Sequence, residues 1–132
     1  MKYILDTHAL IWFLEGNPRL GSNARSILSA PSGDLILPAI ALAEAVWVVS
    51  RGKTAIPTAE ALLDVLQSDP RLTVYPLDEA VIRRSLQLVS ISEMHDRQIV
   101  STALEIQAQG EQVALLTCDG NIVAAQLVAI LW

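Results

Sequence analysis

Five short apolar runs punctuate this chain: KYIL at 2–5, LIL at 35–37, LTVY at 72–75, VALLT at 113–117 and LVAIL at 127–131. The segments between them carry apolar residues at helical spacing. Strands that alternate with helices pair in parallel, and a parallel sheet is covered on both faces. The expected fold class is therefore α/β, with a central, mostly parallel sheet between helices. Ligands of such folds gather beyond the carboxyl ends of the strands. Asp6 follows KYIL, and Asp119 stands just beyond VALLT.

The intervening segments read as follows. ALIWFLEG makes a short helix that Gly16, Pro18 and Gly21 break, and ARSILSA makes another. Pro38 closes LIL, and helical phase begins at Ala39, with Ile40, Glu44, Trp47 and Val48 near one face. Arg51, Gly52 and Lys53 end that helix. Pro57 suits the first turn of the next, which runs to Gln67. Asp78 opens a helix through Val81, Leu86 and Leu88, SISEM breaks it, and Ile99, Ala103 and Ile106 mark a further helix that Gly110 terminates. A short turn or helix follows Asp119.

A carboxylate near an apolar core is costly unless a metal, a cation or hydrogen bonds compensate it. Four acids stand where this matters: Asp6, Glu44, Asp96 and Asp119. Asp6 reads as a turn or helix cap, or as a ligand at a strand end beside His8. Glu44 lies among Leu42, Ala43, Ala45 and Val46, so it needs a cation if it faces the sheet and only water if it sits on a helix edge. Asp96 belongs in a first helical turn, where exposed N–H groups favour negative charge and would equally fix a metal ligand. Asp119 precedes glycine and suits a turn.

If the four converge, they make an oxygen-rich site for Mg²⁺ or Mn²⁺. Zn²⁺ fits less well, because His8 and His95 are the only histidines and Cys118 the only cysteine. Facing a phosphodiester, such metals activate water and stabilise the leaving oxygen. Thr117 is placed to hydrogen-bond Asp119 or a metal-bound water, or simply to end a strand. Arg97 is placed to meet a phosphate or to pair with a site carboxylate. Asn121 orients a phosphate or, preferably, serves the turn. His8 tunes Asp6, touches substrate or makes a structural hydrogen bond. His95 supports the helix entrance, Thr7 is a helix cap, and Cys118 is a small core residue.

A length of 132 residues suits one domain, 1–132, and 52% hydrophobic against 17% charged residues excludes disorder. No apolar stretch reaches the roughly 18 residues of a membrane span, and MKYILDTH lacks a signal peptide's apolar run, so cytoplasmic residence is expected. One cysteine excludes an intramolecular disulfide. The formal charge is −5, and the four acids account for nearly all of it. Two divalent cations would cancel them. No basic stripe of a general polyanion binder is visible. The apolar helix 39–49, including Trp47, offers a surface for dimerisation.

The opening DTHALIW, the acidic helix AIALAEAVW, the segment HDRQIVSTA and the late LTCDGNI together resemble, in order, the motifs of PIN-domain ribonucleases, specifically VapC-like toxins of toxin–antitoxin pairs. The resemblance spans Tyr3 to Trp132. It implies a three-layer α/β/α sandwich and a metal-binding set at Asp6, Glu44, Asp96 and Asp119, with Thr117 as the hydroxyl residue before the last acid. It also implies a Mg²⁺- or Mn²⁺-dependent endoribonuclease, homodimers, and a cognate antitoxin that blocks the site. Two features depart from the family pattern: PAIAL stands where a serine is common, and SISEMHDR where a His- and Pro-rich entrance is common. The alternative is a non-catalytic metal- or partner-binding subunit that keeps the acidic pocket. A haloacid-dehalogenase-like phosphatase would need an aspartate where His8 stands. A receiver domain would need an acidic pair before Asp6 and a late lysine.

Overall fold

The structure, a computed structural model, describes all residues 1–132. Its elements are β1 (Lys2–Leu5), α1 (Thr7–Glu15), α2 (Ser22–Ser29), β2 (Asp34–Pro38), α3 (Ala39–Ser50), α4 (Ala59–Gln67), β3 (Leu72–Tyr75), α5 (Glu79–Ser85), α6 (Met94–Ala108), β4 (Val113–Leu116), α7 (Gly120–Ala125) and β5 (Ile130–Leu131). The five strands form one sheet in the order β3-β2-β1-β4-β5, and every pairing is parallel. The architecture is the expected three-layer α/β/α sandwich.

Ile4, Leu5, Leu37, Leu115 and Leu116 on the central strands are fully buried, as a sheet covered on both faces requires. β3 lies at the sheet edge, and Thr73 and Val74 there remain exposed. The chain order reverses beside β1. From β1 the sheet grows through β2 to β3 in one direction, and β4 and β5 are added on the other side. The carboxyl ends of β1 and β4 therefore flank the switch point, the usual crevice for a ligand.

Several boundaries differ from the sequence expectation. Thr58 caps α4, its side chain accepting from the Ala61 amide at 3.0 Å, so Pro57 lies before the helix. Asp6, not Thr7, caps α1. α5 stops at Ser85, although Leu88 beyond it is buried. The last strand keeps only two of the five LVAIL residues, because Gln126 ends α7 in the left-handed conformation and the chain reaches the edge of β4 late.

The orientation of α3 also differs. Its inward stripe is Ala41, Ala45 and Val49, with Ile40, Val48 and Glu44 half-buried beside it and Trp47 63% exposed. An almost wholly apolar helix carries little phase information, so packing decides which side turns inward. The small Ala41 and Ala45 allow close approach, and α3 packs against α1, α4 and α6.

Candidate functional site

Strand register builds the centre of the site. Leu5 of β1 pairs with Leu116 of β4, so the next residues, Asp6 and Thr117, leave the sheet side by side. The Asp6 amide donates to the Leu116 carbonyl at 3.2 Å. The Thr117 hydroxyl donates to Asp6 Oδ2 at 2.5 Å, and the Thr7 amide donates to Asp6 Oδ1 at 2.7 Å. Asp6 is only 6% exposed and Thr117 only 1%. A charge-assisted bond of this kind is worth about 1.5–3 kcal/mol and fixes the carboxylate plane.

Thr117 also accepts from the Asp119 amide at 3.1 Å. Its hydroxyl thus links Asp6 to the backbone that carries Asp119, rather than bonding the Asp119 carboxylate. Asp119 caps α7, and its Oδ1 accepts from the Asn121 and Ile122 amides at 2.9 and 3.0 Å. Asp6, Thr117 and Asp119 share a cleft of about 320 Å³ with His8, Trp12 and Trp132.

Glu44 approaches from α3, where a long 3.4 Å hydrogen bond from the Thr7 hydroxyl reaches its Oε1. Asp96 sits in the first turn of α6. No hydrogen bond joins its side chain to the other acids, yet their charges reach it. Burial, then repulsion from Asp119, Glu93, Asp6 and Glu44, pushes the Asp96 carboxyl up to about 7. Burial likewise raises Glu44, opposed by His95 and reinforced by Asp6 and Glu93. Burial raises Asp6 too, against the bonds from Thr117 and Thr7. The four expected acids are electrostatically one group with no cation paired to them.

Sequence reasoning missed a fifth member. Glu93 caps α6, its Oε2 accepting from the Asp96 amide at 2.8 Å and its Oε1 lying 2.9 Å from His95 Nδ1. Burial pushes Glu93 up, but the Asp96 and His95 amides and the His95 ring outweigh it and hold the carboxyl low. Its only sequence signal was an acid three residues before Asp96, and glutamate is not a favoured cap. His95 supports the helix entrance, as expected.

Arg97 forms no ion pair with a site carboxylate. Its Nε donates to the Ile91 carbonyl, which ties the SISEM segment to α6. Asn121 stands in the first turn of α7, exposed, and contributes only its amide to Asp119. Cys118 is exposed and lines the cleft, contrary to the expected core placement, because β4 ends two residues before it and the chain is already turning into α7. Partial desolvation at the cleft and the nearby Asp6 push its thiol up, which disfavours the thiolate.

The oxygen-only, unpaired donor set suits a hard divalent cation. No three acid, histidine or cysteine side chains are gathered closely enough to grip one ion directly. That is compatible with Mg²⁺, which retains several waters and needs only one or two direct carboxylates.

Residues 3–126 match the PIN domain. The chain belongs to the PIN-domain family. Solved PIN-fold structures similar to it include VapBC2 from Rickettsia felis, crystallised with a promoter DNA fragment, at 19% identity and a TM-score of 0.72, covering 98% of this chain and 97% of that one. FitAcB from Neisseria gonorrhoeae aligns at 23% identity and a TM-score of 0.64, over 97% of this chain and 95% of that one. VapC20 from Mycobacterium tuberculosis, described as a toxin that cleaves the sarcin–ricin loop, aligns at 14% identity and a TM-score of 0.68, over 96% of both chains. At these identities the likeness is one of fold. None of the functionally curated proteins matches this chain. No helix in this PIN domain is long and apolar enough to cross a membrane.

Proposed function

We infer that this PIN-domain chain is a Mg²⁺- or Mn²⁺-dependent endoribonuclease, the toxin of a toxin–antitoxin pair, acting in the cytoplasm as a single 1–132 unit. The observation that carries the reading is the group of unpaired acids at the β1/β4 switch point, where burial and then the repulsion of Asp119, Glu93, Asp6 and Glu44 push Asp96 up to about 7. Family membership and the fold shared with a toxin described as cleaving the sarcin–ricin loop support it.

In this reading Asp6, Glu44, Asp96 and Asp119 hold the metal, directly or through its waters. A bound divalent ion supplies an activated water and stabilises charge on the phosphate. Thr117 holds the Asp6 carboxylate in one plane, and Thr7 relates it to Glu44. Glu93 holds the first turn of α6, and with it Asp96, in place. His8, Arg97 and Asn121 remain available to the RNA. Fold relatives solved as VapBC and FitAcB complexes support a cognate antitoxin as partner. A homodimer through the exposed face of α3, centred on Trp47, completes the proposal; light scattering that finds only monomer across micromolar concentrations would exclude it.

The deciding experiment compares wild type with Asp6→Asn and Asp96→Asn on structured and single-stranded RNAs with Mg²⁺ or Mn²⁺, mapping the 5′ and 3′ ends of products. Both variants should fold and lose most cleavage. Full activity in both would reject the site. A second reading, a non-catalytic metal- or partner-binding PIN subunit, is favoured by the lack of three converged ligands. It wins if wild type binds metal and leaves every RNA intact.

A further inference from the structure

The cleft that holds Asp6 and Asp119 has a wall the acids do not explain. His8, Trp12 and Trp132 line it, with the His8 and Trp12 ring centres 5.3 Å apart and those of Trp12 and Trp132 5.8 Å apart, edge-on at 65°. Trp132 rests on bare backbone: a Cβ at Gly21 would lie 2.3 Å from the Trp132 carbonyl carbon and 2.6 Å from its indole. Any side chain at position 21 would displace the ring. Both indoles pack against the edge of the core yet stay half-buried beside the cleft, and His8 is exposed there.

The wall continues outward. His8 and Trp12 also line an adjoining cleft of about 260 Å³ that includes Arg19 and Lys53. The Arg19 guanidinium lies 5.8 Å from the Trp12 ring centre, and neither Arg19 nor Lys53 has a carboxylate partner. The acid in this second cleft, Glu15, is engaged by the Ala55 amide at 2.8 Å and the Asn17 side chain at 3.4 Å. Two cations without a carboxylate partner thus stand in the cleft that adjoins the acids.

Acids, then aromatic faces, then unpaired cations occupy contiguous clefts. A single-stranded polynucleotide presents matching groups in sequence: a phosphate, an unstacked base, and the next phosphate. A duplex keeps its base faces stacked internally and offers the rings nothing. We propose that His8, Trp12 and Trp132 form a stacking site for one unpaired base of single-stranded RNA, with Arg19 and Lys53 holding the adjacent phosphate. The proposal rests on the nuclease reading for the position of the scissile bond; stacking itself is measurable without cleavage.

Trp47→Phe removes the remaining tryptophan, which is on α3, so that indole fluorescence reports Trp12 and Trp132 alone. The probes are a non-cleavable 2′-O-methyl single-stranded oligonucleotide, its abasic counterpart and its duplex. The single strand should quench the indoles and bind several-fold more tightly than the other two. Trp12→Leu should weaken its binding on the order of ten-fold, and Trp12→Phe should restore most of it. On cleavable single-stranded RNA, Trp12→Leu should raise KM and largely spare kcat. Equal binding of the three probes, or no indole response to the single strand, overturns the stacking site even if Trp12→Leu fails to fold. Quenching by the single strand in a protein that cleaves no RNA upholds stacking and rejects hydrolysis. Cleavage indifferent to both Trp12 substitutions upholds hydrolysis and rejects stacking.

Discussion

The two ends of the sheet treat the same kind of residue in opposite ways. At the amino ends of the strands, Asp34 and Asp69 are each paired with a cation. Lys2 Nζ lies 2.6 Å from Asp34, across the β1–β2 register. Arg71, just before β3, grips Asp69 at 2.7 Å and donates to the Leu28 and Ala30 carbonyls at 2.9 and 2.5 Å. Asp69 is held below its ordinary value by the Arg71 side chain. At the carboxyl ends Asp6, Glu44 and Asp96 are half-buried or buried, unpaired and pushed upward. One end spends its charges on holding loops to strands. The other keeps its charges in a strained cluster, which is what a cation site requires before its ion arrives.

The sharpest way to break this contrast is to neutralise one acid at each end. Asp96→Asn should lower RNA cleavage by more than the roughly 100-fold typical of residues outside a metal's direct ligands, while Asp34→Asn leaves it unchanged. Equal losses would show that the two ends do not differ in function. Thr117→Val comes next. It strips a donor from buried Asp6, and cleavage or metal affinity should fall about 10- to 100-fold, measured by product formation and by metal titration.

Arg71→Ala tests the opposite end. It should cost about 2–3 kcal/mol of stability, read as a lower urea midpoint, with cleavage retained where the protein stays folded. Loss of cleavage without loss of stability would blur the division.

The smallest effect is in pH dependence. Folded Asp96 holds its proton up to about 7, against 3.8 when unfolded, so its contribution is fully present below the lower value and lost as pH rises through the higher. Asp6 and Glu44 shift the same way. Asp69 shifts the other way: its contribution is present above 3.8 and lost as pH falls through its lowered folded value. Metal-free protein should therefore melt a few degrees higher at about pH 5 than at about pH 8. Asp96→Asn should flatten that slope, and Mn²⁺ at the higher pH should recover the difference. A slope unchanged by Asp96→Asn would remove Asp96 from the strained cluster.

Much of the fold was legible because its cues are local. KYIL and VALL are too apolar for an exposed strand, Gly16 and Pro38 mark boundaries, and the alternation of strands and helices implies parallel pairing. The site was legible in part. Asp6 follows β1 directly and Asp119 stands three residues beyond β4, so strand polarity alone put both at one edge. Glu44 stood out as an acid among apolar neighbours. Glu93 did not, because its role depends on bonds made only once α6 has formed, and Cys118 was misplaced because its exposure depends on where β4 stops.

The chain's local chemistry by itself determined where strands and helices form, the α/β class and which acids stand beside apolar segments. Only tertiary structure decided that Leu5 pairs with Leu116, that Ala41, Ala45 and Val49 rather than Trp47 turn inward on α3, and that Glu93 and the tryptophan wall join the acids. Register and packing are contests among residues far apart in the chain, and no single segment holds enough information to settle them.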